Sequence, residues 1–245
     1  MRQTGGQILA ASLVKQQVDT LFMIPGVQLD WAVDALHDRQ DDIALIVPRH
    51  EQATTYMADG YYRASGKPGV AMVVPGPGVL NAGAGLATAY AANSKVMLIA
   101  GNIHTRGIDR GFGLLHEIKD QTGLIAGLTK WNTRIGQAGE IPSAVATGFA
   151  QMHSGRPRPV GIEVPHDVLE SRIDTPAAST ATPAAGQPPL DTAALERIGH
   201  QIDNARLPAL YVGGGVLAAE AGPALKRLAE RLGAPVIMSD NGLGA

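Results

Sequence analysis

Four short stretches hold side chains that could do chemistry. The first is Arg49-His50-Glu51-Gln52-Ala53, where a carboxylate stands behind the apolar run Ile43 to Val47 and its terminating Pro48. A carboxylate there can take up and return a proton if a ligand reaches it. The same position also suits an acid that does no more than favour the positive end of a helix. The second stretch is Pro25-Gly26-Val27, a turn whose glycine permits close approach of a ligand or of another backbone. The third is Gly76-Pro77-Gly78-Val79-Leu80-Asn81, a tight turn with an amide in the helical turn behind it. That amide could meet a ligand or merely help to cap a helix. The fourth is His116-Glu117, which follows a loop containing Gly107, Gly111 and Gly113. Imidazole titrates near neutrality, so His116 could donate a proton to a substrate. A surface histidine at a helix start, with Glu117 capping that helix, explains the pair equally well.

The surrounding pattern says how these stretches are held. Apolar spacing predicts a helix over 4–18, a strand at 20–24 and a helix through Trp31, Val33 and Leu36. The alternation continues with strands at 43–47, 70–74 and 96–100 and helices at 50–65 and 78–92. Gly66 and Pro68 stop the helix at 50–65. Beyond the loop at 102–113, a helix is expected at 117–127, strands at 130–135 and 159–164, and a helix at 140–153. This order predicts an α/β fold, a doubly wound and mainly parallel sheet. In such a sheet ligands collect at the carboxyl ends of strands, where Glu51 would stand.

Composition changes at Ser171 to Leu190, which is rich in Pro, Ala, Ser and Thr and reads as a linker. A second α/β segment follows, with a helix at 191–204, a strand at 207–212, a Gly213-Gly214-Gly215 turn, a helix at 217–232 and a strand at 235–238. Gly213 to Ala218 fits G-x-G-x-x-A after a strand, with Asp240 as a possible acidic partner for a ribose, a weak dinucleotide signal when taken alone.

Several function classes lose support. The 245 residues carry a net charge of −2, which points to neither nucleic acid nor an anionic membrane as partner. No cysteine is present, so this chain offers no thiolate chemistry or cysteine metal site. No apolar stretch reaches the ~20 residues of a membrane span, and the N-terminus does not read as a signal peptide, so the expectation is a cytoplasmic protein. Neither His50 nor His116 opens an H-E-x-x-H motif. Gly60 to Lys67 does not fit a P-loop, and G-x-S-x-G is missing.

The run Arg49-His50-Glu51-Gln52-Ala53, Met57-Ala58-Asp59-Gly60-Tyr61-Tyr62-Arg63-Ala64-Ser65-Gly66-Lys67-Pro68-Gly69-Val70 and then Gly76-Pro77-Gly78-Val79-Leu80-Asn81 resembles the pyrimidine-binding domain of thiamine-diphosphate enzymes. The group in view is that of acetolactate synthase, pyruvate oxidase and benzoylformate decarboxylase. The resemblance runs from about residue 4 to the C-terminus. It implies a pyrimidine-binding domain over 1–172, a linker over 173–190 and, over 191–245, the first part of a Rossmann-like middle domain.

The resemblance also implies roles. The glutamate matching Glu51 hydrogen-bonds N1′ of the cofactor's aminopyrimidine, which is acid–base catalysis relayed through the cofactor. Pro25, Gly26 and Val27 would lie beside thiamine diphosphate, as would Pro77, Gly78 and Asn81. Val27 departs from the second glycine common in the family, and Pro75 from its usual Ser or Thr. His116 stands where the family often has a glutamine near substrate. The expected substrate is a 2-oxo acid or related carbonyl compound, decarboxylated or joined to a second carbonyl. Mg²⁺ would bind a C-terminal domain bearing a GDG…N motif, which no segment of this sequence fits, and some family members bind FAD in the middle domain. The cofactor lies between subunits, so a homo-oligomer, dimer or tetramer, is expected. The sequence thus reads as the N-terminal part of a longer enzyme. The alternatives are a non-catalytic short product that pairs with a full-length relative and a nucleotide-binding module built on the 213–218 turn.

Overall fold

In the computed structural model, which describes residues 2–174 and 189–245, the apolar runs become strands and the amphipathic runs become helices around them. The chain divides into two units, Met1–Gln187 and Pro188–Ala245. The first contains β1 (Arg2–Thr4), α1 (Gly5–Lys15), β2 (Thr20–Met23), α2 (Asp30–His37), β3 (Ala44–Ile46), α3 (Glu51–Ser65), β4 (Gly69–Val73) and α4 (Pro77–Ala92). It continues through β5 (Val96–Asn102), α5 (Gln121–Ala126), β6 (Trp131–Arg134), α6 (Ile141–His153), β7 (Val160–Pro165), α7 (His166–Glu170) and β8 (Arg172–Asp174).

Local chemistry sets the boundaries. Thr4 and Gln7 form a reciprocal capping box that starts α1. Gly66, with φ of 75°, ends α3 in the left-handed conformation that glycine takes without penalty. Pro77 opens α4, where its missing N–H leaves no bond unmade.

Six strands form one sheet in the order β3-β2-β4-β5-β7-β6, with every neighbouring pair parallel. Successive strand residues face opposite sides. Val70, Met72, Met97 and Ile99 join a core roofed by α1, α2, α6 and α7. Ala71, Val73, Leu98 and Ala100 join the opposite core, under α3, α4 and α5. The fold is therefore the expected α/β sheet covered on both faces.

Three features depart from the expectation. Arg2–Thr4 pairs antiparallel with Arg172–Asp174, so residues 173 and 174, read as linker, belong to a strand. Of the rest of the expected linker, residues 175–188 lie outside the described residues and 189–190 belong to no helix or strand. The helix expected at 117–127 is only Gln121–Ala126, because Asp120 accepts the Gly123 N–H at 2.7 Å and caps it there.

The third departure is in the second unit, which contains α8 (Thr192–Asp203), β9 (Leu210–Val212), α9 (Gly214–Ala218), α10 (Gly222–Leu232) and β10 (Val236–Met238). The single helix expected at 217–232 is two helices. Pro223 cannot continue a preceding helix, and Glu220 turns the chain with φ of 51°. β9 and β10 pair in parallel.

Candidate functional site

In the sheet order, β3, β2 and β4 are neighbours, so the chain leaves their carboxyl ends at adjacent places. Glu51 follows β3, Pro25-Gly26-Val27 follows β2, and Gly76-Pro77-Gly78 follows β4. Stretches about 25 residues apart in sequence thereby come to one rim, the geometry in which open α/β sheets bind ligands.

Glu51 is the first residue of α3, and the His50 imidazole caps that helix by accepting the Gln52 N–H at 3.2 Å. The Glu51 side chain does not cap. Its Oε2 accepts a hydrogen bond from Asn81 Nδ2 at 2.9 Å, and no hydrogen bond engages Oε1 among the described residues. Asn81 is carried by α4, which crosses α3 closely. Thr55 Oγ1 donates to the Ala82 carbonyl at 2.7 Å, and a Cβ on Gly85 would stand 2.4 Å from Thr55 Oγ1 and 2.7 Å from the Tyr56 nitrogen. The small residue at 85 thus lets the helices approach until the amide of one meets the carboxylate of the other.

The two turns meet over Val74. A Cβ on Gly26 would lie 2.5 Å from Val74 Cγ1, and one on Gly78 would lie 2.8 Å from Val74 Cγ2. Gly26 is fully extended, so it is required by this contact and not by its backbone angles. Val27 and Leu80 are more than half exposed, as is Val47 at the end of the β3 segment. An open carboxylate oxygen among exposed apolar side chains suits a flat heteroaromatic ring with one polar edge. The residues present therefore fit an aminopyrimidine. For a metal the outcome differs: among the described residues no group of three or more His, Cys, Asp or Glu side chains converges.

His116 lies in a turn and not at a helix start. Glu117 N donates to the Leu114 carbonyl at 2.8 Å, and Leu114 N donates to Glu117 Oε2 at 2.8 Å. Glu117 therefore closes this turn, and the expected helix cap at that residue is corrected to Asp120. His116 takes a φ of 67°, an uncommon backbone for a residue with a side chain and one that recurs where structure serves a site. The turn touches the rim, since a Cβ on Gly76 would lie 2.3 Å from the His116 carbonyl oxygen.

The sequence reading missed two buried amides. Gln28 donates through Nε2 to the Leu115 carbonyl at 3.0 Å, and its Oε1 lies 3.3 Å from His116 Nδ1. With the amide oriented by Leu115, the imidazole Nδ1 must be the donor, which leaves Nε2 as the free nitrogen of neutral His116. Gln121 accepts the Gly76 N–H and reaches Glu163, a carboxylate in the middle of the buried strand β7. Burial pushes the Glu163 carboxyl above its ordinary value, partly offset by the nearby Thr122 hydroxyl, by hydrogen bonds from Gln121 and Asn102 and by the nearby Arg134 charge. An acid inside Val160–Pro165 was the readable signal for this network.

In the second unit the glycines of 213–218 have a packing role. A Cβ on Gly214 would stand 2.8 Å from the Asn241 carbonyl oxygen, and one on Gly242 would stand 2.6 Å from that of Val212. The turn after β9 is thus pressed against the turn that contains Asp240.

The chain is similar to known proteins over nearly all of its length. Residues 3–124 match the profile of the thiamine pyrophosphate enzyme N-terminal TPP binding domain, and residues 195–245 match that of the thiamine pyrophosphate enzyme central domain. A probable 2-ketoarginine decarboxylase of Pseudomonas aeruginosa is 39% identical over 243 residues, covering 98% of this chain and 42% of the relative. The mitochondrial acetolactate synthase catalytic subunit of Saccharomyces cerevisiae is 34% identical, covering 99% of this chain and 36% of its own. The acetolactate synthase isozyme 3 large subunit of Escherichia coli is 33% identical, with 99% and 42% covered. The chain therefore spans roughly two fifths of the length of these curated relatives.

Proposed function

We infer that this chain, which belongs to the thiamine pyrophosphate enzyme family, supplies the pyrimidine pocket of an enzyme acting on a 2-oxo acid. The observation that carries the reading is the Glu51 carboxylate, held by Asn81 through one oxygen and open at the other, on a rim shared with Gly26 and the Gly76 turn. Glu51 would hold N1′ of the aminopyrimidine, with the Pro25-Gly26-Val27 and Pro77-Gly78 turns against the ring. When bound, thiamine diphosphate supplies a carbon nucleophile that adds to a carbonyl. The contribution of this chain is a proton held at Glu51 Oε1, orientation of that carboxylate by Asn81, and apolar surface that excludes water.

His116, with Nδ1 turned to Gln28, would present Nε2 to the substrate as a proton donor or acceptor. The names of the relatives, a 2-ketoarginine decarboxylase and acetolactate synthases, support decarboxylation or carboligation of a 2-oxo acid. Exposed Val27, Val47, Leu80, Phe112 and Leu115 give this rim an apolar character that fits cover by a second subunit. In that arrangement Mg²⁺ and the diphosphate are held by residues outside this chain.

The test is Glu51→Gln in the full-length native polypeptide. Turnover on a 2-oxo acid should fall by roughly a hundredfold or more with the circular dichroism spectrum unchanged. Near-normal turnover would reject the assignment.

A further inference from the structure

The turn that begins α4 has a single backbone handle. In Pro75-Gly76-Pro77 both flanking residues lack an N–H, so Gly76 supplies the only donor. Its φ of 57° and ψ of −110° are open only to glycine, and the His116 carbonyl blocks the space where a Cβ would go. That lone N–H donates to Gln121 Oε1 at 2.8 Å.

Gln121 has no alternative orientation. Its Nε2 donates to the Gly101 carbonyl at 2.9 Å and to Glu163 Oε2 at 3.1 Å, which uses both hydrogens. Reversing the amide would set its oxygen against a carboxylate and a carbonyl and its NH₂ against the Gly76 N–H. Glu163 is fully buried and is itself held, since Asn102 Nδ2 donates to Oε2 at 2.8 Å. The Asn102 oxygen is occupied by the Ile103 N–H at 2.8 Å. Two amide donors thus converge on Oε2 and fix one arrangement of the groups around it, while the buried Oε1 has no partner among the described residues.

We propose that Gln121, oriented by Glu163, is a positioning residue for the cofactor pocket. It pins the Gly76 turn, and thereby sets where α4 begins and where Asn81 meets Glu51. This rests on the pyrimidine-pocket reading above. Neither residue touches the ring; both act through Gly76.

The experiment compares Gln121→Met, Glu163→Leu and Glu163→Gln with wild type and Glu51→Gln in the full-length native polypeptide. Two readouts are taken: hydrogen exchange of the peptide containing Gly76, and affinity for thiamine diphosphate beside affinity for inorganic pyrophosphate, both with Mg²⁺. Gln121→Met and Glu163→Leu should speed exchange at Gly76 and weaken thiamine diphosphate by about tenfold while pyrophosphate binding stays unchanged. Glu163→Gln keeps an acceptor for Gln121 and should restore both readouts, so it decides the matter even if Gln121→Met fails to fold.

Equal loss of both ligands would mean general damage and overturn the proposal. So would wild-type behaviour of Gln121→Met, or a Glu163→Gln variant as impaired as Glu163→Leu. The two readings fail separately. If Glu51→Gln impairs turnover and Gln121→Met binds normally, only the positioning role falls. If Glu51→Gln is indistinguishable from wild type, the pocket reading falls and takes this one with it.

Discussion

Glu51, behind an edge strand of the sheet, keeps one carboxylate oxygen unengaged among the described residues. Glu163, within β7 on the other side of the sheet centre, is sealed from solvent and bonded by Asn102 and Gln121. One acid is placed where a ligand can reach it, and the other where nothing can. The difference separates two uses of a carboxylate at a sheet rim. A half-buried acid held by a single neighbour keeps an oxygen that a new partner can reach. The buried acid takes two amide donors on Oε2 and so fixes the groups around it, and its own Oε1, without a partner among the described residues, is closed to any ligand by burial. Burial raises the Glu163 carboxyl above its ordinary value, yet the acid proposed to react is Glu51, so a shifted titration does not by itself locate a site.

The comparison breaks first at the helix crossing that delivers Asn81. Gly85→Ala forces a Cβ onto the Thr55 hydroxyl and the Tyr56 backbone. It should destabilise the protein by about 1–3 kcal/mol and weaken thiamine diphosphate binding, read by thermal denaturation and titration. Unchanged stability would mean that α3 and α4 are not held as closely as described.

Asn81→Ala is the next largest. It frees Glu51 Oε2 without touching packing, so turnover should fall by roughly three- to tenfold while stability stays within about 0.5 kcal/mol. A loss as large as that of Glu51→Gln would give Asn81 a role beyond orienting the carboxylate.

Two pH predictions sharpen the contrast through their signs. Glu163 has a folded value raised above its ordinary 4.5, so the native state holds the extra proton. Its contribution therefore improves as pH falls from neutrality towards the ordinary value, and is lost as pH rises through the folded one. Glu163→Gln should remove that dependence in denaturant titrations between pH 5 and 8, taken as about the usual working range. Asp19 is the opposite case. Hydrogen bonds from Lys67 and Tyr61 hold it at about 2, below its ordinary 3.8. Its contribution is present above the ordinary value and is lost as pH falls towards about 2. Because Asp19 and Lys67 are both well exposed, Asp19→Asn should cause the smallest change of the set.

How much of this was legible depends on the range of each signal. Glu51 and the Gly76 turn could be read because their meaning is local: a strand, a stop and a polar residue at fixed spacing. The sheet was legible for the same reason, since buried parallel strands are continuous apolar runs such as Val96 to Ala100. Gln28 and Gln121 were not, because their partners lie 87 and 45 residues away and no periodicity marks a buried amide. The pairing of β1 with β8 was hidden likewise, as three-residue strands joining the two ends of the first unit. The helix expected at 117–127 shows competition between caps. Glu117 is the expected cap, but the helix starts behind Asp120, whose short side chain reaches the Gly123 N–H. The break between α9 and α10 is marked in the sequence by Pro223.

The central claim is that the open oxygen of Glu51 engages N1′ of the aminopyrimidine. The direct measurement is the binding of thiamine diphosphate and of its analogue with N1′ replaced by carbon, to wild type and to Glu51→Gln in the full-length polypeptide. The account predicts that wild type prefers thiamine diphosphate by about tenfold or more and that the variant loses most of that preference. Equal discrimination by both proteins would contradict it.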